Sequence, residues 1–183
     1  MRESEMIQAA VSFLRTRLPE SPELAIVLGS GLGGLADRID NPVYIPYSEV
    51  PGLPVSTAPG HAGRFVAGRL AGRAVLCMQG RFHFYEGHDM QAIARPVRVI
   101  KALGCQALVL TNAAGGVNYD FQVGDFMLIT DHINFMGANP LRGENDEAIG
   151  PRFCDMSHVY TPELQQVARD VAAAQGLPLR EGV

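Results

Sequence analysis

The chain has 183 residues, 47% of them apolar and 19% charged, with a net charge of −4. That length favours one domain with a substantial core, and the acidic balance argues against a basic nucleic-acid footprint. No apolar run reaches membrane-spanning length, and three well-separated cysteines (Cys77, Cys105, Cys154) without a Cys-x-x-Cys fit reduced thiols in a cytoplasmic protein.

The amino-terminal segment Met1-Arg2-Glu3-Ser4-Glu5 is charged and leads into an amphipathic stripe, not into a leader's apolar stretch. Ile7, Ala10, Val11, Leu14 and Leu18 recur at helical spacing, so the pattern predicts a helix over 4–18, ended by Pro19 and Pro22. Leu24-Ala25-Ile26-Val27-Leu28 reads as a buried strand before a glycine-rich turn, with a short helix over about 32–39. Residues 41–63 are rich in proline and glycine and predict a loop with short extended pieces. Phe65 to Leu70 and Ala74 to Met78 flank Ala71-Gly72 as a hairpin. His88 to Leu103 predicts a helix stopped by Gly104, in which Pro96 implies a kink or a later start. Ala107 to Thr111 and Phe126 to Thr130 are further strands, and Thr161-Pro162-Glu163 opens a helix that closes at Gly176. Leu179 to Val183 resembles the start of another strand, which suggests truncation. Helices alternating with strands predict an α/β fold in a single domain over 1–183, with helices on both faces of the sheet.

The densest polar cluster is Gly80-Arg81-Phe82-His83-Phe84-Tyr85-Glu86-Gly87, directly after a strand. Open α/β sheets bind ligands at the carboxyl ends of their strands. A guanidinium matches phosphate or carboxylate bidentately, and His83 follows Arg81 by two residues, on the same face if the strand geometry persists. The alternative is a polar loop capping a strand. Gly29-Ser30-Gly31-Leu32-Gly33-Gly34 matches G-x-G-x-x-G, with Glu49 about twenty residues on. In a dinucleotide site that acid ends a second strand, whereas Glu49 sits among Pro46, Pro51 and Pro54. A turn whose N–H groups and Ser30 hydroxyl cradle an anion is the better reading; a tight turn without a ligand is the plain one. The single lysine, Lys101, leaves no Walker-type loop. Asp131-His132-Ile133-Asn134 lacks metal-ligand spacing, so no metal is expected. Pro59-Gly60-His61-Ala62-Gly63 adds a loop histidine, and Asn112-Ala113-Ala114-Gly115-Gly116 a strand end bare enough for a ligand to reach its backbone.

Taken in order, the glycine turn 29–33, the segments 59–63, 80–87 and 111–116, then Val123-Gly124-Asp125, Asp131-His132-Ile133-Asn134 and Asn139-Pro140-Leu141-Arg142-Gly143, closely resemble the trimeric purine nucleoside phosphorylases. The resemblance runs from about Ile26 to Val183. Methylthioadenosine phosphorylases rank second, since they usually differ at 81–87 and 112–116. The resemblance implies a three-layer αβα fold with a twisted mixed central sheet, incomplete at its carboxyl end. It implies reversible phosphorolysis of purine (deoxy)ribonucleosides to free base and pentose 1-phosphate, with inorganic phosphate as co-substrate and no cofactor or metal. By the same resemblance Ser30, His61, Arg81, His83 and the Ala113 N–H bind phosphate, with Arg81 and His83 catalytic. Tyr85 and Phe153 serve the ribose, Phe153 across the interface of a homotrimer, and Ala114 and Gly115 line the purine pocket. Alternatively Tyr85 simply packs and Phe153 is a core residue. The family continues well past the last residue here, into most of its purine-binding part. A non-catalytic subunit joining full-length partners, and a dinucleotide-binding oxidoreductase, are the alternatives. Base preference, 6-oxo against 6-amino, is not legible.

Overall fold

Ala25 to Leu28 are all buried, and their alternation explains why: Ala25 and Val27 point into one apolar cluster, Ile26 and Leu28 into another. This strand, β1 (Leu24–Leu28), is an interior strand of a sheet and needs apolar residues on both faces. The computed structural model describes residues 1–54 and 62–183, so His61 and residues 55–60 before it lie outside the described residues. These fall into two compact units, Met1–Ala113 with Ala138–Arg152, and Ala114–Gly137 with Phe153–Val183.

The first unit holds a five-stranded mixed sheet. With β2 (Asp40–Pro46), β3 (Arg64–Leu70), β4 (Arg73–Gln79) and β5 (Ala107–Leu110), the strand order is β2-β3-β4-β1-β5. Strand β1 runs parallel to both β4 and β5, while β3 is antiparallel to β2 and β4. Helices α1 (Glu3–Arg17) and α2 (Met90–Leu103) pack on one face. Ile7, Ala10, Val11 and Leu14 of α1, with Val99, Ile100 and Leu103 of α2, meet Ala25, Val27, Phe65, Ala67, Leu76 and Met78 of the sheet. On the opposite face Ala36 and Ile39, from a 3-10 turn (Gly33–Arg38) and its end, cover Ile26, Leu28, Val66, Val75 and Cys77.

Three expectations shift. The short helix is a 3-10 turn. Helix α2 starts at Met90, because the Asp89 carboxylate accepts from the Ala92 N–H at 2.7 Å, and it runs through Pro96. Residues 40–46 form a full edge strand where short extended pieces within a loop were expected; an edge tolerates Pro42 and Pro46, and a bulge between Asp40 and Val43 takes up the irregularity. The amino end of α1 is tied to α2 by Glu3, whose carboxylate accepts from Arg95 Nε and Nη2 at 2.9 and 2.8 Å; Arg98 approaches it at 3.4 Å. Arg95 is 9% exposed and also donates to the Gly52 carbonyl.

The second unit has two parallel strands, β6 (Phe126–Ile129) and β7 (Leu179–Gly182), and helix α3 (Pro162–Ala174). Arg169 of α3 pairs with Glu181 of β7 at 2.7 and 2.8 Å. Arg180 pairs with Asp125 at 3.0 Å. The Gln122 N–H and that guanidinium hold the Asp125 carboxyl below its usual range.

Candidate functional site

The parallel strands β4, β1 and β5 end level with one another, Leu28 opposite Gln79 and Val27 opposite Leu110. Parallel neighbours lie about 4.8 Å apart, so the three segments that follow begin side by side. They are the Gly29-Ser30 turn, the Arg81–Glu86 segment and Thr111–Ala113, which hold the expected phosphate ligands Ser30, Arg81, His83 and Ala113, while His61 lies outside the described residues.

Gly29 is held hard against the third segment. A Cβ there would meet the Thr111 carbonyl oxygen at 2.6 Å and the Asn112 Cα at 2.7 Å, so only glycine fits. Its N–H donates to Thr111 Oγ1 at 2.8 Å, and its carbonyl accepts from the Leu32 N–H at 3.1 Å, closing the turn that displays Ser30. Ser30 itself is exposed.

The second segment begins at Gly80, whose φ of +99° lets the chain swing out of β4. Beneath it Tyr47, 1% exposed, donates its hydroxyl to the Gly80 carbonyl at 2.6 Å, with its ring against Phe65 and Phe82. Burial, with Cys77 nearby adding to it, pushes the Tyr47 phenol well above its ordinary value. Burial alone pushes the Cys77 thiol up to about 11. Arg81 donates from Nη1 to the Thr111 carbonyl at 3.0 Å and from Nε to His83 Nε2 at 3.3 Å. The other imidazole nitrogen, Nδ1, lies 2.8 Å from Glu86 Oε1, which also accepts from the His83 N–H at 2.8 Å. A carboxylate only accepts, so the proton sits on Nδ1 and the Nε2 lone pair faces Arg81. Glu86, with a side chain 2% exposed, thereby fixes both the tautomer and the ring orientation of His83. This constellation fixes a guanidinium and an imidazole side by side at the strand ends, which suits an oxyanion.

Of the predicted residues, the structure brings Arg81 and His83 into direct contact and ties Arg81 and the Ser30 turn to one residue, Thr111. Ala113 follows Thr111 on the exposed strand end. Tyr85 is 76% exposed, its ring stacked on His83 at 4.8 Å. Ala114, Gly115 and Phe153 belong to the second unit, all exposed, with Phe153 88% exposed. Phe153 is therefore not a core residue of that unit.

Thr111, Glu86 and Tyr47 escaped the sequence reading as site residues. Glu86 carried a signal, a His-x-x-Glu spacing that starts a helical turn as a capping box does. Thr111 and Tyr47 carried none. The dinucleotide reading loses its acid, since Glu49 pairs with Arg17 at 2.7 Å, and its helix, since a 3-10 turn follows the glycines. His132 Nε2 lies 2.6 Å from the Tyr160 hydroxyl, and among the described residues no group of three His, Cys, Asp or Glu could hold a metal.

The sequence profile of the Phosphorylase superfamily matches residues 23–183. Purine nucleoside phosphorylase 1 of Bacillus subtilis is 54% identical over 179 residues, covering 98% of this chain and 66% of the relative. The purine nucleoside phosphorylase of Bos taurus is 48% identical over 175 residues, covering 94% and 61%. Isoform 2 of purine nucleoside phosphorylase from Schistosoma mansoni, solved with cytosine and ribose-1-phosphate, superposes with a TM-score of 0.91 at 43% identity, over 98% of this chain and 65% of that one. The chain thus spans about two thirds of the length of the relatives it matches. A profile match over most of the length, and fold agreement at such identity, establish that this chain belongs to the phosphorylase superfamily.

Proposed function

We propose that residues 1–183 are the amino-terminal part of one purine nucleoside phosphorylase domain and carry its phosphate site. The observation that carries this reading is the Arg81–His83–Glu86 constellation at the carboxyl ends of three level parallel strands. The names of the relatives, and the ribose-1-phosphate bound to the Schistosoma protein, support it. In this reading Arg81, His83, the Ser30 hydroxyl and the Ala113 N–H bind the phosphate, with His61 beside them. Tyr85 and Phe153 serve the ribose, Phe153 that of a neighbour in a homotrimer, and Ala114 and Gly115 face the purine.

The reaction is displacement at the anomeric carbon. The C–N bond to the purine breaks, its electron pair leaves with the base, which is protonated, and a phosphate oxygen forms the new C–O bond from the opposite face. The sugar passes through an oxocarbenium-like state, as in glycoside hydrolysis. A dianion fixed against that developing positive charge supplies both proximity and electrostatic stabilisation. The products are free base and pentose 1-phosphate.

The test is titration of the chain with inorganic phosphate by calorimetry, together with phosphorolysis of inosine and adenosine. Removing a charged donor from such a site costs about 1.5–3 kcal/mol, or about 10–100-fold in affinity. Arg81→Ala is expected to lose phosphate binding by that factor. Wild-type phosphate dependence in that variant overturns the assignment.

A further inference from the structure

We propose that Thr111 is the positioning residue of the phosphate cradle, holding the Ser30 turn and the Arg81 guanidinium in one frame. The inference rests on the phosphate reading above. Thr111 stands where β5 ends, and it makes four hydrogen bonds to two other segments. Its N–H donates to the Val27 carbonyl at 3.1 Å. Its hydroxyl donates to the same carbonyl at 2.9 Å and accepts from the Gly29 N–H at 2.8 Å. Its own carbonyl accepts from Arg81 Nη1 at 3.0 Å.

The direction of each bond is fixed by chemistry. A backbone N–H can only donate, so the hydroxyl lone pair faces Gly29 and its single proton goes to Val27. The side chain therefore cannot rotate without breaking both bonds. The missing Cβ of Gly29 lets its backbone come this close, since an added Cβ would lie 2.6 Å from the Thr111 carbonyl oxygen. That oxygen is the one that orients Arg81. Gly29 and Arg81 are thus referenced to a single half-buried residue, although neither contacts the other in the hydrogen-bond pattern. A catalytic constellation must be held to within about 0.5 Å of its productive geometry. Thr111 reaches two of its parts at once, through its hydroxyl and through its carbonyl.

The test compares Thr111→Val, which keeps the shape and loses the hydroxyl, with Thr111→Ser, which keeps the hydroxyl. Phosphate affinity is measured by calorimetry beside the melting temperature without phosphate. The expected result is about tenfold weaker phosphate binding in the valine variant, with the serine variant within about threefold of wild type. A valine variant that melts earlier but binds phosphate with wild-type affinity has lost only structure, and overturns the proposal. If the valine variant does not fold, the wild-type chain decides. Phosphate should shift the Gly29, Thr111 and Arg81 Nε resonances with one common dissociation constant. Gly29 and Thr111 resonances that stay still while Arg81 moves overturn it. A wild-type chain that binds no phosphate at all overturns the phosphate reading first, and this inference with it.

Discussion

Tyr47→Phe removes one oxygen from the support under the Arg81 segment and leaves the rest in place. The ring keeps its neighbours, Phe65 at 4.9 Å and Phe82 at 5.0 Å between centroids. What disappears is the 2.6 Å bond to the Gly80 carbonyl, made by a phenol only 1% exposed. A carbonyl left unpaired in such surroundings makes the loss about 1–2 kcal/mol. For a chain of this length each kcal/mol moves the melting temperature by about 2–4 °C. The variant should therefore melt about 2–8 °C below wild type, read by circular dichroism with matching urea curves. The pH dependence gives a second check. Burial raises the Tyr47 phenol in the folded chain above its unfolded value. Its stabilisation is therefore complete below the unfolded value near 10 and falls as pH rises past it. The deficit of the variant should be full at pH 7 and shrink above about pH 10. Cys77, raised from 9.0 to about 11, adds an alkaline loss of its own in both proteins. Equal urea midpoints at pH 7, or a deficit that stays constant into the alkaline range, would refute this account of the Gly80 support.

Glu3→Ala strands the Arg95 guanidinium, whose side chain is 10% exposed, and should cost about 3 kcal/mol in urea unfolding; a loss under about 1 kcal/mol contradicts that view of the α1–α2 tie. Thiol labelling at pH 8, followed by peptide mass mapping, should find exposed Cys154 modified first, half-buried Cys105 slowly, and Cys77 only in denaturant. Native-state labelling of Cys77 at the rate of Cys154 would mean that the β4 face of the core is open.

The apolar strands were legible because a middle strand must be apolar on both faces, and residues 24–28 and 74–78 are. Helix α1 was legible from its stripe, and Ile7, Ala10, Val11 and Leu14 are the residues it buries. Strand β2 was not, because Asn41, Pro42 and Pro46 carry turn chemistry, and only its edge position, unknowable from the sequence alone, makes prolines acceptable there. The start of α2 slipped by two residues because Asp89, not the polar run before it, supplies the cap.

The same division runs through the candidate site. Arg81, His83 and Glu86 lie within six residues, and their mutual bonds span two or three positions, so a single segment of sequence displays them. The contacts that aim them are long-range: Gly29 to Thr111 spans 82 positions, Arg81 to Thr111 spans 30, and Tyr47 to Gly80 spans 33. Each uses a backbone group on at least one side, and backbone groups leave no trace in residue identity. The requirement for glycine at position 29 is the visible trace of that arrangement, and in the sequence it reads as a tight turn with or without an anion until Thr111 is seen against it. The grouping of these side chains was therefore visible along the chain, while the frame that orients them exists only once β4, β1 and β5 are paired in register. If the proposed phosphate site is right, a variant that disturbs this frame weakens phosphate binding with every side chain of the 80–87 motif still in place.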